Sequence, residues 1–134
     1  KLLDKMLSFI GLTRQRNLYI ANIIPWRPPG NRPPSLDEMN LMLPFVNQHV
    51  HLIQPKIVLL VGATACRSVL QMSQPMGSFR GRTLSYGLPW TGVGEKPACF
   101  AVYHPAFLLR SPRHKKTMWH DLLALQDLMK KVCA

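Results

Sequence analysis

Acidic side chains are scarce in this sequence. The 134 residues contain 6 Asp and Glu against 17 Lys and Arg, so the formal net charge is +11. Such an excess on a short chain creates a surface potential that attracts polyanions. Nucleic acid is therefore the first partner to consider, although a basic protein without any nucleic-acid function has the same composition.

Cysteine is sparse as well. Cys66, Cys99 and Cys133 are far apart, and none belongs to a Cys-x-x-Cys pair or lies near a histidine at metal-ligand spacing. A disulfide framework and a zinc site are therefore not expected. The longest apolar run, residues 57–62, is far short of the about 20 residues that cross a bilayer, and no signal-peptide pattern opens the chain. We expect a cytoplasmic protein without a membrane partner.

Apolar spacing predicts alternating helices and strands. The predicted order is helix 1–10, strand 18–24, helix 35–53, strand 57–61, helix 63–72, strand 99–103 and a helix through residues 118–132. A capping box at Ser35 and Glu38 opens the second helix, and Pro44 is expected to kink or interrupt it. Residues 73–98 are predicted to form a loop region with a short extended piece around residues 84–86 and a hairpin. This order indicates one α/β domain with a mainly parallel sheet.

The predicted carboxyl ends of the strands carry polar groups, where open α/β sheets bind their ligands. They are Asn22, the turn at Gly62, and His104. Pro105 suits the first position of a helix and would leave His104 beside the positive helix end, where it can stabilise a developing anion. The Asn22 amide offers a donor and an acceptor to a planar heterocycle. A strand end that carries His-Pro and an asparagine satisfied by backbone are the structural alternatives.

Two loops carry groups suited to phosphate. These groups are Arg27, Asn31 and Arg32 in a proline-rich loop, and Arg80 and Gly81 further along. A solvated basic face is the alternative explanation. Leu108 and Leu109 follow His104 and can wedge between bases, although such a pair is more often packed in a core.

Taken together and in order, these segments resemble the family 4 uracil-DNA glycosylases, a bacterial and archaeal group that usually carries an iron–sulfur cluster. The matching segments are Tyr-Ile-Ala-Asn-Ile-Ile at residues 19–24, Arg-Pro-Pro-Gly-Asn-Arg at 27–32, Pro-Lys-Ile-Val at 55–58, Arg-Gly at 80–81, His-Pro-Ala-Phe-Leu-Leu-Arg at 104–110 and Trp-His-Asp-Leu at 119–122. The resemblance implies a three-layer α/β/α fold. It also implies hydrolysis of the bond between uracil and deoxyribose in DNA during base-excision repair, by a monomer.

Residue roles follow from the resemblance. Asn22 matches the asparagine that reads the uracil edge, and His104 matches the histidine that hydrogen-bonds a uracil oxygen as charge develops on the departing base. Contacts with the DNA backbone are implied for Arg27, Asn31, Arg32, Arg80, Gly81 and Arg110. Leu108 or Leu109 would fill the space that the flipped nucleotide leaves.

Part of the family pattern lies upstream of the residue that matches Lys1. It includes the first strand, an acidic residue that positions the attacking water, and a phenylalanine that stacks on uracil. We therefore expect residues 1–134 to form one domain that is incomplete at its N-terminus. We also expect this domain to release uracil more slowly than a complete family member.

The cluster cysteines of the family are not matched either. Two of the four ligands lie upstream in the family, and Trp26 and Met42 occupy the positions of the other two. Neither side chain supplies a thiolate, so no iron–sulfur cluster and no other metal or cofactor is expected, and Trp26 is expected to fill the cluster's space as an apolar plug.

Two other functions fit the same residues. One is a catalytically inactive DNA-binding remnant of the family, which keeps the basic surface and performs no chemistry. The other is a covalent uracil-trapping relative, which needs a histidine in a basic insertion after the Arg-Gly position. Residues 82–85 contain no histidine, so this last function ranks lowest.

Overall fold

Helices and strands alternate along the chain in the computed structural model, which describes residues 2–13, 15, 18–19, 35–92 and 94–132. The elements are α1 (Leu2–Ser8), α2 (Leu36–Ile53), β1 (Ile57–Val61), α3 (Ala63–Leu70), β2 (Thr83–Ser85), β3 (Ala98–Val102), α4 (Pro105–Arg110) and α5 (Lys115–Val132), with short 3₁₀ helices at Met76–Ser78 and Pro112–His114. The predicted α/β class is confirmed. The strand predicted over residues 18–24 lies largely outside the described residues.

The described sheet has three strands in the order β1-β3-β2. β1 and β3 run parallel with Ile57 opposite Ala98 and Val61 opposite Val102. β2 pairs antiparallel with β3, so the described part of the sheet is mixed rather than mainly parallel. The reason is the connection between β2 and β3, which returns the chain without a crossover helix and therefore reverses its direction. The extended piece predicted around residues 84–86 is confirmed as β2, which has no tight hairpin turn.

Apolar side chains cover both faces of the sheet. Along β3, Cys99 and Ala101 pack into a core cluster with α3, whereas Phe100 and Val102 pack into a second cluster with α1 and α5. Alternate residues of a strand point to opposite faces, so a central strand covered on both sides must be apolar throughout. The described elements therefore form the three layers, helix, sheet and helix, that were expected.

The start of α2 is as predicted. Ser35 Oγ accepts from the Glu38 N–H at 3.1 Å, and the Glu38 carboxylate accepts from the Ser35 N–H at 2.8 Å. Of the two effects predicted for Pro44, the interruption is wrong, because the helix continues to Ile53, and the kink stays a prediction. Pro44 cannot donate to the Asn40 carbonyl, but both residues are exposed and water can solvate that group. Every helix within the described ranges is too short or too polar to cross a membrane.

Candidate functional site

His104 lies at the carboxyl edge of the sheet, directly before α4. It is the N-cap residue of that helix, its Nδ1 accepts the Ala106 N–H at 3.0 Å, and Pro105 occupies the first helical turn. The predicted helix start is therefore confirmed. Because Nδ1 acts as an acceptor, the neutral imidazole carries its proton on Nε2. The ring thus has a donor with a fixed orientation and a second nitrogen that is already occupied.

Gly62 forms the neighbouring turn after β1. Its N–H donates to the Val102 carbonyl at 2.9 Å, which ties the end of β1 to the end of β3. Its φ is +92°, and a Cβ added there would lie 3.2 Å from the Cβ of His104. A side chain at this position would be strained and would press against the histidine, so glycine leaves the space that His104 uses. The structure brings these two predicted groups together.

An aromatic cluster, formed by Tyr103, Phe107 and His114, lies next to His104 in the chain. The ring centroids of Tyr103 and Phe107 are 4.6 Å apart, and His114 lies 5.0 Å from Phe107 and 5.5 Å from Tyr103. Sequence reasoning missed this cluster and gave His114 no role. The spacing of four residues between the first two rings was the available signal. The cluster fixes α4 against the 3₁₀ helix that follows it.

Arg80 is held by the buried carboxylate of Asp121, which lies in the matched segment 119–122 but had no predicted role. Its Nε and Nη2 donate to the two Asp121 oxygens at 3.1 and 3.0 Å. This hydrogen bonding raises the pKa of Arg80, with burial acting in the opposite direction. The side chain of Asp121 is 4% exposed and that of Arg80 is 31% exposed. Since the guanidinium fork already faces Asp121, only the exposed part of Arg80 is left for the predicted contact with DNA.

Gly81 lies between this ion pair and β3. Its N–H donates to the Ala101 carbonyl at 2.8 Å, so that donor is not free for a phosphate. Its φ is +69°, and a Cβ added there would collide with the Asp121 carboxylate. Glycine is therefore required at this position by conformation and by space. The predicted DNA contact of Gly81 remains a prediction.

The two leucines after His104 have different environments. Leu108 is 0% exposed and belongs to the core cluster under α5, whereas Leu109 is 67% exposed. Arg110 is exposed in the last turn of α4. Of the two leucines, Leu109 is thus the one that could reach DNA, and Leu108 has a packing role.

Several predicted site residues lie outside the described residues. They are Asn22, Arg27, Asn31 and Arg32, together with Trp26. Their predicted roles in base reading, phosphate contact and filling of the cluster space remain predictions.

The described residues do not fit an iron–sulfur cluster. They contain no group of three or more His, Cys, Asp or Glu side chains that could hold a metal ion. Cys66 and Cys99 are buried in the core, and burial raises their pKa to about 11 and about 12, so the thiolate that ligates iron is disfavoured. Met42 offers only a thioether.

Comparison with known proteins gives a consistent result. The sequence model of the Uracil DNA glycosylase superfamily matches residues 1–128. The chain is similar to the type-4 uracil-DNA glycosylase of Sulfurisphaera tokodaii, with 30% identity over 131 residues that cover 96% of this chain and 58% of the relative. The corresponding protein of Saccharolobus solfataricus is 27% identical over 134 residues, covering 96% and 60%. That of Archaeoglobus fulgidus is 28% identical over 131 residues, covering 98% and 65%. The chain thus spans less than two thirds of the length of these relatives.

Proposed function

The chain belongs to the uracil DNA glycosylase superfamily, and we propose that it hydrolyses the N-glycosidic bond of uracil in DNA, the base-removal step of excision repair. The observation that carries the proposal is the fixed orientation of His104. Its Nδ1 is held by the Ala106 N–H at 3.0 Å, which leaves the Nε2 proton as a donor at the carboxyl edge of the sheet. Fixed donors at the point where charge develops are a major source of catalysis.

The proposed chemistry places negative charge on the departing base. The bond between uracil N1 and sugar C1′ breaks, and its electron pair stays on the uracil, which spreads the charge onto the carbonyl oxygens. The Nε2–H of His104 donates to one of these oxygens. A water molecule adds to C1′ and loses one proton to solvent, and the uracil anion takes up one proton from solvent, so the products are uracil and an abasic site. The bond to Ala106 holds the ring ready, so that no reorientation is needed during the reaction.

Substrate recognition is proposed to require a flipped uracil. Asn22 would read its polar edge, and the exposed Leu109 would occupy the vacated position in the base stack. The backbone contacts are assigned to Arg27, Asn31, Arg32, Arg80, Gly81 and Arg110. Because the family is bacterial and archaeal, we propose that the protein acts on DNA in the cytoplasm, as a monomer and without a cluster.

A base-release assay tests this function. The purified chain is incubated with a single-stranded oligonucleotide that contains one uracil, and abasic sites are cleaved with alkali and counted on a denaturing gel. We expect release by the unaltered chain, and a rate lower by about 100-fold to 1,000-fold for His104→Gln, because a donor to the developing anion is lost. His120→Gln, which alters an exposed histidine on α5, is the matched control. Absence of release by the unaltered chain, or equal rates for His104→Gln and the control, would overturn the proposal.

A further inference from the structure

The segment after α4 carries a dense positive charge. Residues 110–116, here called the basic turn, include Arg110, Arg113, Lys115 and Lys116, all of them exposed. The sequence contains no Asp or Glu between Lys96 and His120. Four of the 17 Lys and Arg residues thus lie within seven positions, with no acidic residue near them in the sequence. A surface of this kind raises the local concentration of polyanions.

Three of these cations make no side-chain contact that explains them within the part of the chain that the structure describes. Among the described residues, no ion pair or hydrogen bond engages the side chains of Arg113, Lys115 or Lys116. Lys115 and Lys116 also begin α5, whose first turn contains no acidic residue. Since helices favour carboxylates rather than cations in the first turn, helix stability does not explain these lysines.

The aromatic cluster fixes the basic turn beside His104. His114, in the middle of the turn, packs against Phe107 and Tyr103. The Ser111 N–H donates to the Phe107 carbonyl at 2.8 Å, and the His114 N–H donates to the Ser111 carbonyl at 3.1 Å. The six residues of α4 span about 9 Å, which corresponds to roughly three nucleotides of a B-form strand. Arg110 thus lies about 9 Å along α4 from the His104 end of the helix, and the rest of the basic turn follows it directly.

We propose that Arg113, Lys115 and Lys116 bind backbone phosphates of the DNA strand that flanks the flipped nucleotide. This inference rests on the proposed function, since it assigns these residues to the same substrate. Arg110, at the end of α4, would contact the first of these phosphates. The three further cations would contact phosphates that lie further along the strand from the reacting sugar. The contacts are independent of base sequence, because ammonium and guanidinium groups here meet phosphates rather than base edges.

The salt dependence of binding tests the basic turn. The full chain and the triple variant Arg113→Gln/Lys115→Gln/Lys116→Gln are titrated with a labelled single-stranded oligonucleotide without uracil, between about 50 and 200 mM salt. We expect the slope of log K against log salt to become less steep by about 2, and affinity near 0.1 M salt to fall about 100-fold. The control variant Lys96→Gln/Lys130→Gln/Lys131→Gln removes the same charge from exposed sites on other parts of the chain. Its slope should change by less than about 0.5.

The outcomes separate this inference from the proposed function, because binding is measured without uracil and base release in its own assay. Equal slopes for the triple variant and the unaltered chain, or an equal loss in the control variant, would overturn the role of the basic turn. Tighter binding of an RNA strand of the same sequence that depends on the three cations would overturn the assignment to DNA. Circular dichroism melting of both variants confirms folding, since all six side chains are exposed.

Discussion

Arg80 and Asp121 form a two-point ion pair between residues that are 41 positions apart in the sequence. The pair connects the segment before β2 to α5 and closes over Gly81, whose backbone is bonded to β3. One layer of the fold is thereby linked to the sheet at the edge where His104 lies. Because the carboxylate is buried and the guanidinium is partly exposed, the two partners should respond differently to substitution.

Substitution of each partner in turn should show this asymmetry as two different losses of stability. Arg80→Gln leaves the buried Asp121 carboxylate without its cation and should lower the free energy of unfolding by about 3 kcal/mol. Asp121→Asn leaves a guanidinium that water can reach, so its loss should be smaller, about 1 to 2 kcal/mol. Urea unfolding of both variants and of the double variant measures the losses and their coupling. Equal losses, or losses below about 0.5 kcal/mol, would contradict the burial difference.

Substitution by alanine should destabilise the protein more at Gly81 than at Gly94, although both glycines have a positive φ. Gly81→Ala meets both the positive φ and the Asp121 carboxylate, whereas Gly94 has a φ of +79° with open space around the added Cβ. Gly94→Ala should therefore lower stability by about 1 kcal/mol, the usual penalty for a left-handed residue. Gly81→Ala should lose at least about 1 kcal/mol more, for the displacement of a buried ion pair. Similar unfolding midpoints for the two variants would contradict this prediction, because they would show that the Asp121 carboxylate can move aside without loss of stability.

Substitution of Leu108 should affect stability, whereas substitution of Leu109 should affect uracil release. Leu108→Ala removes a fully buried side chain and should lower stability by about 2 to 5 kcal/mol. Leu109→Ala should change stability by less than about 0.5 kcal/mol and slow uracil release, because the vacated position in the base stack is no longer filled. Thermal melting and the base-release assay measure the two effects. Unchanged base release in Leu109→Ala would remove this leucine from the proposed site.

The free energy of unfolding should fall at alkaline pH because two thiols and one phenol in the core must stay protonated in the folded state. Burial raises the pKa of Cys66 from 9.0 to about 11 and that of Tyr86 from 10.0 to about 12. Burial, followed by the neighbouring Cys66, raises the pKa of Cys99 from 9.0 to about 12. In each case the folded state holds its proton more tightly than the unfolded state. The contribution of these protonated groups to the free energy of unfolding is therefore complete below about pH 9. It is lost as the pH rises through their pKa values in the folded state.

Urea unfolding between pH 7 and pH 11 measures this loss, which is at most about 1.4 kcal/mol per pH unit for each group. The variant Cys66→Ala/Cys99→Ala is the control, since it removes two of the three groups. It should show a shallower decline above about pH 9. An identical decline in the variant would assign the pH effect to other groups.

Much of the local structure is predictable because local rules decide it. The period of apolar residues gave the helices and the buried strands, the Ser35 and Glu38 spacing gave the start of α2, and Pro105 gave the start of α4 after His104. The helix is not interrupted at Pro44. The sequence rule is correct that a backbone bond is lost, but the exposed position lets water replace it.

The sequence by itself determined the positive charge, the alternation of helix and strand, and the histidine at the start of a helix. Only the tertiary structure decided that Asp121 holds Arg80, that Leu108 is buried while Leu109 is exposed, and that β2 runs against β3. These features depend on residues that are distant in the chain and become neighbours after the layers pack. A short segment of sequence sets the backbone preferences of its own few residues. The burial of a side chain and the pairing of distant strands or charged groups depend on the packing of the whole domain.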